Sequence, residues 1–401
     1  MYLLELAGED DAFASREAAT AAAGVSRLAV GVATADAVAV DRVRTLAFTR
    51  HASELVGTTD ASIASARTLL EAAPLDREGS VAVRARDVRG GTGVSTSDAE
   101  RELGRVLVDH GFAVDLDDPD HVLRVAFAPS EAQGDSDSRA GGAGETPSEP
   151  PESAGVPDAP QRGDAGACAI GWAVAASVRD FGSRKPTDRP FFQPGSMDPL
   201  LARAVANLAG ARPDATVLDP MCGTGGVLVE AGLVGADVLG IDAQAKMAAG
   251  ARENLAAFLD GTDCDDEHHA DGTDCDDEHG ADGTDRDDER RSDGTTGFPD
   301  PGDWATIRGD ATRLPLRDDA VDGVVFDAPY GRQSKIETHG LDDLVAGALA
   351  ESRRVADRCV LVADRSWAAE ARDAGWTIDS SFQRRVHASL DRYVLVLDAD
   401  R

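Results

Sequence analysis

The chain has 401 residues, of which 42% are apolar, and a formal charge of −33. That length exceeds what one core usually serves, so two or three domains are expected, and the apolar content excludes a wholly disordered acidic protein. Only Lys185, Lys246 and Lys335 among the 40 basic residues are lysines; a Lys-poor, Asp-rich chain reads as adapted to a very salty cytoplasm, where a Debye length of about 3 Å at 1 M salt screens long-range repulsion and leaves nucleic acid open as a partner.

The N-terminal "MYLLELAGEDDA" places acids where a signal peptide needs positive charge, and no apolar run reaches the ~18 residues of a membrane span. The five cysteines, Cys168, Cys222, Cys264, Cys275 and Cys359, form no closely spaced even framework, which favours a reducing interior. A soluble cytoplasmic protein with no membrane partner is expected.

Along the first 183 residues the pattern is α+β. "ASIASARTLLEAAP" and "SDAERELGRVLVDHG" carry helical apolar spacing, whereas "GSVAVRARDV" and "HVLRVAFA" are strand-like. In the first of these strands Val81, Val83 and Ala85 alternate with Arg84 and Arg86, which predicts one apolar face and one solvated basic face. From about 129 to 165 the chain turns to Gly, Pro, Ser and acid, with 8 acids against 2 arginines between Glu131 and Ala165. Strand-like residues flank it at 121–128 and 167–177, so it reads as a long insertion in a hairpin and not as a domain boundary.

A second insertion, about 260–299, is an eleven-residue repeat: "DGTDCDDEHHA", "DGTDCDDEHGA" and "DGTDRDDERRS". A period this polar cannot bury a face, so a solvated loop is expected. Its Cys264, His268, Cys275 and His279 have zinc-like spacing, but the third copy carries Arg286 and Arg290 at those places and nothing apolar backs the four, so no metal is expected.

From Pro199 the chain alternates strand and helix. "ATVLD" (215–219), "DVLGID" (237–242), "WATIRGD" (304–310), "DGVVFD" (322–327) and "RCVLVAD" (358–364) are short apolar runs ending in Asp, the signature of a doubly covered parallel sheet with its ligand site at the strand ends. The first run leads into "DPMCGTGG", Asp219 to Gly226, whose glycines permit positive φ and close approach of a ligand. Leu228 occupies the third glycine place of a nicotinamide-cofactor fingerprint, and the Gly-Lys-Ser/Thr ending of a phosphate loop is absent. Asp242 is placed to accept from two ribose hydroxyls and Asp310 from an adenine amine. With Asp219 they describe a pocket for an adenosine without phosphate, and the cationic S-adenosylmethionine suits that field. Cys222 reads as small-residue packing, because no His partner for a nucleophile is near.

The fourth strand ends in Asp327-Ala328-Pro329-Tyr330. This stretch resembles the Asp-Pro-Pro-Tyr motif of methyltransferases acting on exocyclic amines of nucleic-acid bases. With "RPFFQPGSM" (189–197), "DPMCGTGG" and "DAPYGRQS", the chain is similar to the archaeal tRNA (guanine(10)-N2)-dimethyltransferase family, most closely over about 184–250 and 304–397. The resemblance implies an α/β, Rossmann-like, S-adenosylmethionine-dependent methyltransferase domain at 184–401, preceded at 1–183 by an α+β region with an RNA-binding THUMP-like domain. It implies tRNA as partner, with Asp327, Ala328, Pro329 and Tyr330 as the catalytic set. Asp219, Pro220, Cys222, Gly223, Thr224, Gly225, Asp242, Asp310 and Ala311 would form the cofactor site. Ala328 stands where the family has Pro; its backbone carbonyl is retained and only stiffness is lost.

In that reading Asp327 and the Ala328 carbonyl accept the two amine N–H groups, and Tyr330 stacks on the extracted base. Arg332, Gln333 and Ser334 read equally as RNA contacts or as surface loop residues. Methylation of another tRNA or rRNA guanine or of a DNA base, and a non-catalytic RNA-binding role, are the alternatives.

Overall fold

The computed structural model describes residues 1–130, 166–260, 299–329, 340–387 and 390–399. Both acidic insertions, the candidate zinc ligands Cys264, His268, Cys275 and His279, and Tyr330, Arg332, Gln333 and Ser334 lie outside the described residues. Elements fall around two large sheets.

The first half runs β1 (Tyr2–Leu6), α1 (Asp11–Ala18), β2 (Ala22–Ala23), β3 (Ser26–Ala29), β4 (Val32–Ala35), β5 (Ala37–Val38), α2 (Val40–Val43), β6 (Thr49–Thr59), α3 (Ile63–Ala72), β7 (Ser80–Asp87), α4 (Thr96–Asp109), β8 (Ala113–Val114), β9 (His121–Ala128) and β10 (Ala167–Ala176). Eight of these strands form one sheet in the order β3-β4-β1-β6-β10-β9-β7-β8. The expected hairpin is present: β10 pairs antiparallel with β9, from Ala167 opposite Ala128 to Trp172 opposite Leu123. Helices α3 and α4 start at serine caps, Ser62 and Ser95, whose hydroxyls accept from the backbone N–H three residues on. They bury Ala66 and Leu70, and Ala99, Leu103, Val106 and Leu107, against Val81, Val83, Phe127 and Ile170 of the sheet.

On the arginine face of β7, Arg84 stays partly exposed and donates to the Leu116 carbonyl at 2.8 Å, whereas Arg86 departs from the solvated position expected of it. Glu5, only 1% exposed, reaches across from β1, where Arg124 of β9 pairs with it at 2.5 Å and Arg86 lies at 3.7 Å. Burial alone would raise this carboxyl; Arg124, with smaller help from His51 and Arg86, lowers it to about 2.

The second half runs α5 (Pro199–Leu208), β11 (Thr216–Asp219), α6 (Gly226–Leu233), β12 (Asp237–Asp242), α7 (Ala245–Leu259), β13 (Trp304–Arg308), β14 (Gly323–Asp327), α8 (Leu341–Val355), β15 (Arg358–Ala363), α9 (Ala368–Asp373), β16 (Trp376–His387) and β17 (Leu390–Ala399). Its sheet order is β13-β12-β11-β14-β15-β17-β16. The five strands foreseen in the sequence are parallel to one another. The C-terminal pair was not foreseen: β17 runs antiparallel to β15, and β16 antiparallel to β17.

The period of two decides the layers. Val217, Val325, Val360, Val362, Val394 and Val396 face a core with α5, α6 and α7. Leu218, Val324, Phe326, Leu361, Leu395 and Leu397 face the opposite core with α8 and α9. Both faces are therefore covered, which is why these strands read as continuous apolar runs. Strand order reverses beside β11, so the ends of β11, β12 and β14 border the crevice where such sheets bind ligands.

The core on the α5 side continues into the first half, with Phe13, Phe48 and Ala52 in the same cluster as Val205 and Leu208. Phe13 meets Phe48 and Phe382 edge to face, at 5.3 and 5.2 Å between ring centres.

Candidate active site

The site starts where β11 ends. Asp219, 3% exposed, accepts from the Met221 N–H at 2.9 Å through Oδ1, and the turn that follows, with Pro220 buried, carries the chain into the glycine loop. The loop is fixed by its own backbone and by the next strand. The Cys222 N–H donates to the Ile241 carbonyl at 2.9 Å, and the Gly225 N–H to the Cys222 carbonyl at 2.7 Å. Gly223 (φ 52°) and Gly225 (φ 74°) are both left-handed, and Gly225 caps α6 in that conformation. A side chain there would pay for positive φ and meet the Ala251 Cβ at 3.2 Å.

Asp242, the last residue of β12, closes the loop from the other side. Its Oδ2 accepts from the Gly223 N–H at 3.1 Å and its Oδ1 from the Gln244 N–H at 2.8 Å. These two bonds orient Asp242 at the edge of the loop. Asp310 stands two residues beyond β13, and its Oδ1 accepts from the Thr312 N–H and hydroxyl at 2.9 and 2.8 Å; Ala311 beside it is buried.

A strap over the loop comes from the segment before α5. Phe191 N–H donates to Asn254 Oδ1 at 2.9 Å, and Asn254 Nδ2 donates to the carbonyls of Phe191 and Thr224 at 2.9 and 2.8 Å. The hydroxyls of Ser196 and Thr224 are 3.2 Å apart. The "RPFFQPGSM" stretch is thereby tied to the glycine loop through α7, a role for Asn254 that nothing in the sequence pattern signals.

Asp327 ends β14. The Ala328 N–H donates to the Val362 carbonyl at 2.8 Å, extending the pairing of β14 with β15 one residue past the strand and burying Ala328. The Asp327 side chain is 22% exposed and lies 3.6 Å from the Arg392 guanidinium of β17. Its Oδ1 is buried and has no hydrogen-bond partner among the described residues. Burial pushes the Asp327 carboxyl up to about 7 against the pull of Arg392, with Asp364 adding repulsion. Burial also holds Asp219 well above the usual carboxylate range, with Asp242 and Asp327 adding repulsion, and it raises the thiol of Cys222. Cys222 packs under the loop, its Sγ 3.1 Å from where a Cβ on Gly240 would stand.

Of the residues picked out in the sequence, Asp219, Pro220, Cys222, Gly223, Thr224, Gly225 and Asp242 meet in one crevice, Asp310 and Ala311 border it, and Asp327, Ala328 and Pro329 stand one strand away. Arg392 and Gly195 were missed. They come together only because β17 inserts antiparallel beside β15, and no short motif encodes that pairing. Among the described residues no group of three or more His, Cys, Asp or Glu is arranged to hold a metal, and no helix is long and apolar enough to cross a membrane.

Residues 186–393 match the family model described as "RMKL-like, methyltransferase domain". A tRNA (guanine(10)-N2)-dimethyltransferase of Methanothermobacter thermautotrophicus is 31% identical over 230 residues, which is 55% of each chain. One of the same name from Methanocaldococcus jannaschii is 49% identical over 78 residues, covering 20% of this chain and 22% of that one. The chain thus spans about half the length of the first of these relatives. Among solved structures, TrmN from Thermus thermophilus superimposes with a TM-score of 0.43 at 20% identity, over 100% of this chain and 99% of that one. With its matched region covering more than half of its length and enclosing the glycine loop, Asp242 and Asp327, the chain belongs to the family of RMKL-like methyltransferase domains.

Proposed function

We propose that this protein transfers a methyl group from S-adenosylmethionine to the exocyclic N2 amine of a guanine in tRNA, at position 10, giving N2-methylguanosine and N2,N2-dimethylguanosine. Residues 184–401 carry the chemistry, and residues 1–183 hold the RNA as a THUMP-like region, in the cytoplasm. The observation that carries the reading is the Asp327 carboxylate: poised near neutrality, with a buried oxygen without a hydrogen-bond partner among the described residues, one strand from a glycine loop.

The residues present suit the cofactor. Asp242 and Asp310 at the strand ends favour a cation and disfavour a phosphate; Asp242 is oriented by two backbone N–H groups at the end of its strand; the left-handed glycines open the backbone to close approach. When bound, S-adenosylmethionine supplies an electrophilic methyl on sulfur.

The protein groups then act on the amine. A guanine N2 is a poor nucleophile because its lone pair is delocalised into the ring. Asp327 and the Ala328 carbonyl accept its two N–H bonds, which turns the lone pair out of the ring plane and offsets the positive charge that develops on nitrogen. Methylation would break the sulfonium C–S bond as the N–C bond forms and would release one N2 proton, which the Asp327 carboxylate is placed to take; its raised pKa matches a proton acceptor working near neutral pH. Tyr330 supplies the stacking surface for the extracted base, at about 1–3 kcal/mol.

The test is incubation of purified protein with S-adenosylmethionine and unmodified tRNA transcripts in multimolar KCl, followed by nucleoside mass spectrometry and mapping. Methylated guanosine at position 10 is the expected product. Methylation elsewhere would overturn the position, and donor binding without methylation of any RNA would favour a non-catalytic role.

A further inference from the structure

The strap and the acceptor carboxylate, although they come from segments more than a hundred residues apart, share one side chain. Arg392 on β17 is 4% exposed. Its Nη2 donates to the Gly195 carbonyl at 3.3 Å and lies 3.6 Å from Asp327 Oδ2. Gly195 adjoins Ser196, whose hydroxyl touches Thr224 of the glycine loop. We propose that Arg392 is a positioning residue that sets the ionisation and orientation of Asp327 while anchoring the strap that covers the glycine loop.

Three observations carry this. First, 3.6 Å exceeds hydrogen-bonding distance. A guanidinium in bidentate contact would occupy the carboxylate lone pairs that the amine needs, whereas one held just outside that range supplies its charge and leaves those acceptors open. Second, Arg392 stands directly opposite Arg384 in the β16–β17 register. Like charges in that relation destabilise a strand pair, so sheet pairing does not account for a cation at this position. Arg384 is in turn accommodated elsewhere, over the rings of Phe13 and Phe48 at 4.5 and 4.7 Å and 3.8 Å from Asp10. Third, among the described residues the other charge that bears on Asp327 is an acid, Asp364, just past β15. It opposes the ionisation that Arg392 favours.

The inference builds on the proposed role of Asp327, so the experiment needs a readout independent of methyl transfer. In full-length protein with [13Cγ]Asp labelling, the Asp327 resonance is assigned by its loss in Asp327→Asn and titrated between pH 5 and 9, in wild type, Arg392→Gln and Arg392→Lys. The expected midpoint in Arg392→Gln is higher than in wild type by about one pH unit or more, with Arg392→Lys close to wild type. In parallel, the acidic limb of kcat/KM moves alkaline in Arg392→Gln and returns in Arg392→Lys, whereas a purely structural arginine would lower the rate at every pH alike. An unchanged Asp327 midpoint in a folded Arg392→Gln protein overturns the proposal, whether or not tRNA is methylated. A shifted midpoint with no methylation by the wild type sustains Arg392 and refutes the proposed reaction.

Discussion

Glu17 of α1 and Asn207 of α5 are joined side chain to side chain at 2.8 Å across 190 residues of sequence, and both are fully buried. The same carboxylate accepts the N–H groups of Ala47 and Phe48 at 2.7 and 2.6 Å, while Asn207 Nδ2 also donates to the Thr45 carbonyl at 3.0 Å. One acid thus fastens the first half of the chain to the second. Glu17→Ala leaves two backbone donors and an amide without their acceptor, and we expect a loss of about 3–5 kcal/mol, measured as a fall in thermal midpoint at fixed KCl.

A second buried network fixes α5, α6 and the segment before them. Glu230, 0% exposed, pairs with Arg184 at 2.8 Å and with Arg203 at 2.6 Å, while Asp180 holds the outer side of Arg184 at 2.7 Å. Removing the acid leaves two interior guanidiniums without their shared counter-charge. Glu230→Ala is expected to destabilise by about 3–5 kcal/mol, read by chemical or thermal unfolding. A change below 1 kcal/mol would mean that water reaches the cluster.

Gly225→Ala tests the loop. The left-handed backbone costs about 1–2 kcal/mol for a non-glycine residue, and the new methyl would stand 3.2 Å from the Ala251 Cβ. Because this strain falls on the proposed donor site, S-adenosylmethionine binding measured by calorimetry should weaken at least tenfold while tRNA binding is unaffected.

The pH dependence follows from Asp327. Its folded pKa, about 7, is raised above the ordinary value of 3.8. The folded state therefore favours the protonated form, so the stabilising contribution is complete below about pH 4 and is lost as pH rises to about 7. Asp327→Asn abolishes this slope: relative to wild type, its stability, followed through the thermal midpoint, should rise between pH 5 and pH 8 by a few kcal/mol at most. For activity the sign is opposite, since the ionised form accepts the amine protons, and kcat/KM should fall below pH 7.

Much of this site could be read from the sequence, for reasons visible in particular residues. Parallel strands covered on both faces leave apolar runs such as Val324-Val325-Phe326 that stop at an acid, and their ends mark the crevice. Motif residues in one turn, from Asp219 to Gly225, stay together because the turn is local. Arg392, Asn254 and Glu17 act across 65, 30 and 190 residues, and pairing over such distances leaves no periodicity to detect. Arg86 of β7 misled for the same reason: its partner Glu5 arrives from β1, with β6, β10 and β9 between the two strands in the sheet.

The most direct measurement is single-turnover methylation of tRNA by wild type and Asp327→Ala under identical salt, with S-adenosylmethionine affinity measured on the same preparations. The account predicts unchanged donor affinity and a rate lower by about 10²–10³-fold, the scale of losing one transition-state hydrogen-bond partner. A variant that binds the donor normally and methylates guanine within a few-fold of the wild-type rate would contradict it.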